Sequence, residues 1–351
     1  MSPELLRRLP KTDLHCHLDG SLRMETIMAL ASQDGIHLPA DDVPNLRRAF
    51  HIGTGFKSLE EYLKVFPIAL SVMQTEASLA RIAEELVLDA AADGVTHLEL
   101  RFCPALHEDK GLARGAVLEA VIRGARAGEA KTGTTAGVIV CGIRSEPPAQ
   151  SRALAELAAG FLGRGVVAFD LAGPEAGFPA TDHQEACRIA RAAGLRLTVH
   201  AGEGDGAPSI ARALHDCGAE RIGHGCRLAD DPGLLAEVKR RRIPLEVCPS
   251  SNLHTAVAPT IEAHPIGAQI AAGLEVTINT DNRLVSDTTV SHELELLVRH
   301  LGLNDEAVFR LLWTGFEAAF VSAPERQRLQ RGLLKAWGEC GLRPPSTAPS
   351  A

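Results

Sequence analysis

The sequence predicts an α/β protein folded as a (β/α)8 barrel, with a mostly helical insertion after the first strand and extra helices at the C-terminal end. Three observations lead to this prediction. Eight short apolar segments recur at roughly regular intervals, helix-like stretches lie between them, and residues able to carry chemistry follow the ends of the strands. A doubly wound open sheet is the competing architecture.

The strand candidates are rich in Val, Ile and Leu, and their apolar residues do not alternate cleanly with polar ones. This pattern is typical of parallel strands that are covered on both faces. The eight candidates are Thr12–Leu18, Val95–Phe102, Ala136–Ile143, Val166–Ala172, Leu195–Ala201, Arg221–Gly225, Ile243–Cys248 and Leu274–Asn279.

Between the strand candidates, Ala and Leu recur at helical spacing. The helix candidates are Leu79–Ala92, Ala116–Lys131, Gln150–Leu162, Asp182–Ala193, Pro208–Cys217 and Pro232–Arg241. The first two strand candidates are so far apart that we expect a mostly helical insertion near the barrel mouth. Two or three further helices are predicted over Val290–Leu342. The Pro/Ser/Ala-rich tail, Arg343–Ala351, is predicted to be disordered, which leaves one domain over residues 1–342.

Composition excludes several classes of protein. The 351 residues carry 36 Lys+Arg against 44 Asp+Glu, a net charge of −8, so a nucleic-acid partner is not expected. No apolar run has the length of a secretory signal or a membrane span. The eight cysteines are dispersed without a C-x-x-C pair, which indicates reduced thiols rather than a disulfide scaffold. We therefore expect a soluble, cytoplasmic protein without a membrane partner.

A barrel places its functional residues at the C-terminal ends of the strands, and the first strand candidate ends in two histidines and an aspartate. The two-residue period of a strand puts His15, His17 and Asp19 on one face. Two imidazoles directed at a barrel interior are difficult to explain as packing. Alone, however, the H-x-H pattern is weak evidence for a metal, because a pair of hydrogen-bonded core histidines would look the same.

Three further strand ends carry the same kinds of residue. His200 closes the fifth strand candidate, and Gly202 lets the backbone bend so that Glu203 points into the same space. His224 stands between two glycines at the end of the sixth candidate, and Asp281 follows the eighth. Each of these residues, taken alone, could have an ordinary structural role. Four such strand ends in one chain together predict a metal site.

The ligand types indicate which metal this site would hold. Three imidazoles and one carboxylate, with no thiolate, suit Zn²⁺ best, although Fe²⁺, Mn²⁺ and Co²⁺ stay open. A catalytic zinc lowers the pKa of a water to about 7 and so supplies hydroxide at neutral pH. Glu203 and His224 are the candidates for proton transfer beyond the ligands. The residues therefore predict a metal-dependent hydrolase acting on an electrophilic carbon.

Six motifs follow one another over nearly the whole chain. They are LPKTDLHCHLDGSLR (Leu9–Arg23), DLAGPE (Asp170–Glu175), HAGE (His200–Glu203), RIGHG (Arg221–Gly225), CPSSN (Cys248–Asn252) and NTDN (Asn279–Asn282). In this order they strongly resemble the adenosine deaminase family of amidohydrolase-type barrels. The resemblance implies one zinc ion per chain, with the ligands His15, His17, His200 and Asp281.

The same resemblance implies roles around a bound purine. Glu203 would give a proton to N1 and make C6 more electrophilic. His224, with Asp281, would orient and deprotonate the attacking water, after which ammonia leaves C6. The Gly173 amide would meet N3, and Asp19 would meet a ribose hydroxyl.

The sequence departs from the family pattern at one informative position. Many relatives have a second aspartate directly after the ligand aspartate, proposed to donate a proton to purine N7, whereas this chain has Asn282. Since N7 is an acceptor, an amide NH₂ can face it without needing a raised pKa. The substitution is compatible with purine binding, but it weakens any transfer of substrate preference. A simple turn asparagine is the alternative interpretation.

The leading hypothesis is hydrolytic deamination of a 6-aminopurine nucleoside, adenosine or 2′-deoxyadenosine first. Rivals with the same chemistry are deamination of free adenine or of a 5′-modified, aminodeoxyfutalosine-type adenosine. AMP is less favoured because no basic cluster accompanies the motifs. A cyclic-amide hydrolase is disfavoured because no lysine follows the fourth strand candidate, and a non-catalytic relative would be expected to lose ligands. The sequence does not indicate an oligomeric state.

Three residues near the motifs have simpler alternatives. Arg101 ends the second strand candidate and is expected either to support the site from behind or to form a plain salt bridge. Cys103 and Cys248 are interpreted as buried structural thiols. Most histidines outside the motifs are expected to be structural or to lie at the surface.

Overall fold

The computed structural model describes residues 1–50 and 56–343, and its centre is a sheet of eight parallel strands paired in chain order. The strands are β1 (Lys11–His17), β2 (Val95–Phe102), β3 (Thr135–Ile143), β4 (Val166–Ala172), β5 (Arg196–Ala201), β6 (Arg221–His224), β7 (Leu245–Val247) and β8 (Val276–Ile278). Helices alternate with them, so the predicted (β/α)8 barrel is confirmed and the open-sheet alternative is wrong.

Backbone and side-chain hydrogen bonds close the sheet between its first and last strands. The amide of His17 donates to the carbonyl oxygen of Asp281 at 2.6 Å, and the Asp281 amide donates to the carbonyl of His15 at 2.8 Å. Deeper in the barrel, the Leu14 amide donates to Oδ1 of Asn279 at 2.9 Å. The seam therefore joins, by backbone contacts, two histidines of β1 to the aspartate that follows β8.

Sixteen α-helices surround the barrel within the described residues. They are α1 (Pro3–Arg8), α2 (Met24–Asp34), α3 (Val43–Ala49), α4 (Leu59–Tyr62), α5 (Phe66–Ser71), α6 (Glu76–Ala92), α7 (Arg114–Thr132), α8 (Pro148–Gly160), α9 (Gln184–Ala192), α10 (Ala207–Arg212), α11 (Pro232–Arg241), α12 (Pro249–His254), α13 (Ile266–Ala271), α14 (Val290–Leu301), α15 (Asp305–Ala318) and α16 (Ala323–Glu339). Helices α2 to α6 form the predicted insertion, and α14 to α16 are the predicted C-terminal helices. Of the predicted tail, residues 344–351 lie outside the described part of the chain.

The predicted boundaries agree well for the longer strands and less well for the last two. β2 and β4 begin and end where the sequence predicts, whereas β7 and β8 are shorter than their candidates. For β7, the reason lies in the neighbouring helices. The amide of Ile243 still bonds the carbonyl of Val238 at the end of α11, and Cys248 already caps the start of α12.

Two further sequence predictions concern membrane-spanning segments and the cysteine thiols. Within residues 1–50 and 56–343, no helix is both long enough and apolar enough to cross a bilayer. All eight cysteines are free thiols, and every one except Cys340 is buried. Cys103 and Cys248 belong to the buried group, as expected of structural thiols.

Candidate metal centre and active site

Four side chains from three strand ends converge above the barrel. The possible ligand atoms of His15, His17, His200 and Asp281 all lie within 4.8 Å of one another. Nε2 of His17 is 3.1 Å from Nε2 of His200, and Oδ1 of Asp281 lies 3.4 Å from Nε2 of His15 and 3.3 Å from that of His17. The structure thus brings together the four residues that the resemblance implies as ligands.

The spacing and charge of this cluster fit a metal ion. Ligand atoms about 2.0–2.1 Å from a tetrahedral zinc stand about 3.3–3.4 Å apart, close to the three separations given above. Nε2 of His15 is buried without a hydrogen-bond partner, as a nitrogen reserved for a metal would be. Burial lowers the pKa of His15 to about 4 and that of His17 well below its usual value, so both imidazoles are neutral, the form that binds metals.

Two carboxylates orient the histidines from behind. Oε2 of Glu246 accepts a hydrogen bond from Nδ1 of His15 at 2.9 Å, and Asp170 accepts one from Nδ1 of His200 at 3.1 Å. A proton on Nδ1 leaves the lone pair on Nε2, which is the nitrogen that faces the cluster. Although burial opposes it, the charge of Arg101 and the contacts with the histidines hold the pKa of each carboxyl below its usual range.

Arg101 joins these two carboxylates. Its guanidinium donates to Oδ2 of Asp170 at 3.1 Å and to Oε2 of Glu246 at 2.8 Å, and it also donates to the carbonyl of Leu14 at 2.6 Å. All three charged side chains are fully buried. Arg101 therefore supports the site from behind, and its ion pairs are part of that support.

Strained backbone marks two of the site residues. Only five non-glycine residues in the described ranges have positive φ, and they include His224 (64°) and Asp281 (59°). Such conformations are uncommon away from glycine and concentrate at functional sites. At Gly223, a Cβ would lie 3.0 Å from Cα of His200, a tight contact that glycine avoids where strands β5 and β6 approach one another.

Glu203 is placed by the turn after β5. Gly202 has φ of 76°, which confirms the predicted bend. The carboxylate of Glu175 then accepts hydrogen bonds from four successive amides of this turn. These are Gly202 (2.6 Å), Glu203 (3.0 Å), Gly204 (2.7 Å) and Asp205 (3.2 Å). Glu175 thus connects the loop after β4 to the residue predicted to transfer a proton.

The side chain of Glu203 is buried among polar partners. Its Oε1 accepts from Oγ1 of Thr255 at 2.9 Å and from Nδ2 of Asn252 at 3.4 Å, while its Oε2 lies 3.4 Å from Nε2 of His224. Burial raises the pKa of Glu203 above its ordinary value, although the neighbouring histidines oppose the shift. A carboxyl that holds its proton more tightly is suited to act as a general acid near neutral pH.

These side chains open into a cavity of about 260 Å³. Its polar floor consists of His17, Asp19, Gly173, His200, Glu203, His224, Asp281 and Asn282. Its outer wall is apolar and comes largely from the insertion after β1, with Leu59, Leu63, Phe66, Pro67 and Leu70. No lysine or arginine is among the described residues that line it. Every sequence-predicted site residue except the buried ligand His15 therefore lines one cavity.

Sequence reasoning missed several residues that hold the site together. Asp170 and Glu175 lay inside a quoted motif without a role, and Glu246 lay in the seventh strand candidate without comment. Asn252 ended another motif, where it now contacts both Glu203 and His224. A polar residue inside an otherwise apolar strand, as at Glu246, is the sequence signal that could have found one of them.

Comparisons with known proteins cover almost the whole chain. A family model described as "Adenosine deaminase" matches residues 10–336. An adenosine deaminase of Mycobacterium sp. (strain JLS) is 42% identical over 347 residues, which make up 95% of this chain and 96% of that protein. The similarity therefore includes the barrel, the insertion after β1 and most of the C-terminal helices.

Solved structures give the same extent of similarity. The adenine deaminase from Arthrobacter aurescens superposes with a TM-score of 0.87 at 28% identity, covering 94% of this chain and 99% of that one. The N6-methyl-AMP deaminase from Arabidopsis thaliana superposes with a TM-score of 0.85 at 28% identity, covering 96% and 100% respectively.

Proposed function

Because the chain belongs to the adenosine deaminase family, we propose that it catalyses the zinc-dependent hydrolysis of adenosine or 2′-deoxyadenosine to inosine or 2′-deoxyinosine and ammonia. One observation carries the proposal. Three of the four possible metal ligands and a buried acid of raised pKa line one cavity, and the fourth ligand, His15, is buried beside them. Each component is required for attack of water at C6 of a 6-aminopurine.

His15, His17, His200 and Asp281 are the residues that would hold the zinc. When bound, zinc supplies a water of lowered pKa as the nucleophile. Asp281 keeps its negative charge because contacts with His15 and His17 hold the pKa of its carboxyl well below the usual range, although burial opposes this. Its other oxygen, Oδ2, accepts from Oγ of Ser251 at 2.6 Å, which fixes the carboxylate in place.

Glu203 is the proposed proton donor to N1 of the purine. Protonation of N1 withdraws electrons from C6 and favours attack there. The Glu175 contacts to its backbone and the Thr255 hydroxyl at 2.9 Å hold the carboxyl in one orientation, so little reorganisation is needed when the proton moves. His224, 3.4 Å from Glu203, is placed to contact the attacking water.

The contact between Asn282 and Gly20 supports the proposal that Asn282 faces N7 of the purine. A Cβ on Gly20 would lie 1.8 Å from Oδ1 of Asn282, so the amide oxygen packs against the glycine backbone. Oδ1 is buried without a hydrogen bond. In this orientation of the Asn282 side chain, its NH₂ group is the end available to a ligand, which is the polarity that the acceptor N7 requires.

Asp19 favours a nucleoside over a free base. Its Oδ1 is buried in the cavity without a hydrogen-bond partner, so it needs a donor from the ligand, and a ribose hydroxyl is such a donor. A nucleotide is less well matched, because no cation among the described lining residues would neutralise its phosphate. The Arabidopsis relative that acts on N6-methyl-AMP has the same fold, so fold alone does not decide between these substrates.

The proposal is tested by turnover of the zinc-loaded protein with a panel of substrates, following the ultraviolet change as 6-amino becomes 6-oxo. The panel contains adenosine, 2′-deoxyadenosine, adenine, AMP and a 5′-extended adenosine. We expect the two simple nucleosides to have the highest kcat/KM. Reaction of the 5′-extended compound alone would change the substrate but keep the chemistry, and reaction of none would contradict the proposal.

A further inference from the structure

A chain of hydrogen bonds runs from a backbone amide at the start of α13 to the imidazole of His224. The Ile266 amide donates to Nδ1 of His264 at 3.0 Å. A backbone N–H can only donate, so Nδ1 of His264 carries no proton. Burial lowers the pKa of His264 to about 4, so the ring is neutral near pH 7 and its single proton is on Nε2.

The proton on His264 in turn fixes the amide of Asn252. Nε2 of His264 lies 3.3 Å from Oδ1 of Asn252 and can only donate to it. The thiol of Cys226 also donates to Oδ1, at 3.2 Å. If the amide were turned over, its NH₂ would face the N–H of His264. The oxygen of Asn252 therefore faces His264, and its NH₂ faces the active site.

The NH₂ group of Asn252 lies within hydrogen-bonding distance of both His224 and Glu203. It lies 3.0 Å from Nδ1 of His224 and 3.4 Å from Oε1 of Glu203. Since an amide NH₂ only donates, Nδ1 of His224 must accept. A neutral imidazole with an accepting Nδ1 carries its proton on Nε2, which is the nitrogen 3.4 Å from Oε2 of Glu203.

We propose that His264 and Asn252 are positioning residues that hold neutral His224 as the tautomer with its proton on Nε2. The proposal rests on the proposed function only in taking His224 to contact the attacking water. In this tautomer Nε2 has no lone pair, so His224 donates a hydrogen bond to the oxygen that attacks C6. The resemblance implies instead that His224 removes the proton of the water.

The proton balance then involves Glu203. The O–H bond of Glu203 breaks as its proton moves to N1, and the resulting carboxylate accepts one proton of the attacking water. The second proton of that water leaves with the amino group as ammonia. Glu203 ends the cycle protonated, and His224 remains a donor throughout.

Nitrogen-15 NMR of the zinc-loaded protein tests the proposal directly. Protein labelled at histidine nitrogens is measured near pH 7.5, and the His224 signals are assigned by their loss in the variant His224→Gln. The ¹⁵N shifts distinguish a protonated ring nitrogen from an unprotonated one. We expect Nε2 of His224 to be protonated and Nδ1 to be unprotonated. The opposite assignment in the wild-type protein overturns the proposal.

Substitution of Asn252 supplies a second test. The Asn252→Asp carboxylate can only accept near Nδ1, so it should move the proton of His224 from Nε2 to Nδ1. A misplaced tautomer is expected to lower kcat by a factor of about 10²–10⁴ with zinc still bound. The control is Asn45→Asp, an exposed position. Unchanged His224 shifts in a folded, zinc-loaded Asn252→Asp protein contradict the proposal.

The tests separate this proposal from the proposed function. The NMR measurement of the His224 tautomer needs no substrate. The expected tautomer can therefore be observed even if the protein does not deaminate adenosine. Conversely, rapid adenosine turnover with Nδ1 of His224 protonated would keep the deaminase and refute the tautomer. His264→Phe removes the anchor but leaves Asn252, and we expect a mixture of the two His224 tautomers in that protein.

Discussion

The carboxylate of Glu246 accepts a hydrogen bond from Nδ1 of His15 at 2.9 Å, although the two residues are 231 positions apart in the chain. The same carboxylate contacts the guanidinium groups of Arg101 and Arg221, at 2.8 Å and 2.6 Å. The side chain that orients a metal ligand is thus also the anion that two buried cations share.

Replacing this anion should damage both metal binding and stability. In Glu246→Gln, we expect zinc affinity to fall by a factor of about 10–100, because the neutral amide keeps only one of the two acceptor oxygens that hold His15, Arg101 and Arg221. The free energy of unfolding should also fall, by up to about 3 kcal/mol, because Arg101 and Arg221 each lose one of their two buried carboxylate partners, with Asp170 and Glu99 remaining. Competition with a zinc indicator and urea denaturation measure the two effects. Glu76→Gln, a half-exposed position, is the control. Unchanged zinc affinity would contradict the orienting role.

Removal of the acidic proton of Glu203 should separate chemistry from metal binding. In Glu203→Gln, we expect one zinc per chain and a kcat lowered by a factor of about 10²–10⁴. Metal content by atomic spectroscopy and turnover of adenosine are measured on the same sample. Activity near that of the wild type would rule out Glu203 as the proton donor.

Glu175 should affect turnover through Glu203. In Glu175→Gln, the new NH₂ group meets backbone amides that also donate, so part of the turn after β5 must shift. We expect kcat to fall by a factor of at least about 10, with KM for adenosine changed less and zinc retained. The isosteric change keeps the side-chain volume, and a matched Glu185→Gln at a half-exposed site controls for loss of charge. Equal losses in the two variants would show that the contacts to the turn do not matter.

Glu293 should make stability depend on pH. It is fully buried and accepts from the amide of Ser250 (3.0 Å) and the hydroxyl of Thr288 (2.6 Å), and burial raises its pKa to about 7. The folded protein therefore binds this proton more tightly than the unfolded chain does. Its contribution to stability is present below about pH 4.5 and is lost as the pH rises to about 7.

The variant Glu293→Gln resembles the protonated carboxyl and lacks this titration. Relative to the variant, the wild type should lose up to about 3 kcal/mol of unfolding free energy between pH 4.5 and 7. Urea denaturation of both proteins at several pH values measures the difference. A difference that does not change with pH would show that Glu293 titrates near its ordinary value.

The sequence was sufficient to predict the barrel and to name four possible metal ligands that the structure brings together, because both are encoded locally. Each possible ligand lies near the C-terminal end of a strand or a few residues after it. The strand pattern and the residue types together therefore indicate that these side chains meet at one end of the barrel. The residues behind the ligands could not be placed in this way. Glu246 meets His15, and Asp170 meets His200, only because closure of the barrel brings distant strands together.

The orientation of Asn252 is a second feature that the sequence pattern could not predict. Its contact with His264 depends on where α12 and α13 pack, and no periodicity in the sequence specifies that packing. His264 belonged to the histidines expected to be structural or superficial. It is buried and structural, as expected, yet its proton determines which end of Asn252 faces His224.

The central claim is tested most directly by the dependence of adenosine turnover on zinc. The purified protein is stripped with a chelator, its residual metal is measured, and one equivalent of zinc is returned while inosine and ammonia are followed. We predict that the stripped protein is inactive, and that activity returns in proportion to zinc up to one ion per chain, with equal amounts of the two products. Full activity without metal, or a zinc-loaded protein that releases no ammonia from adenosine, would contradict the account.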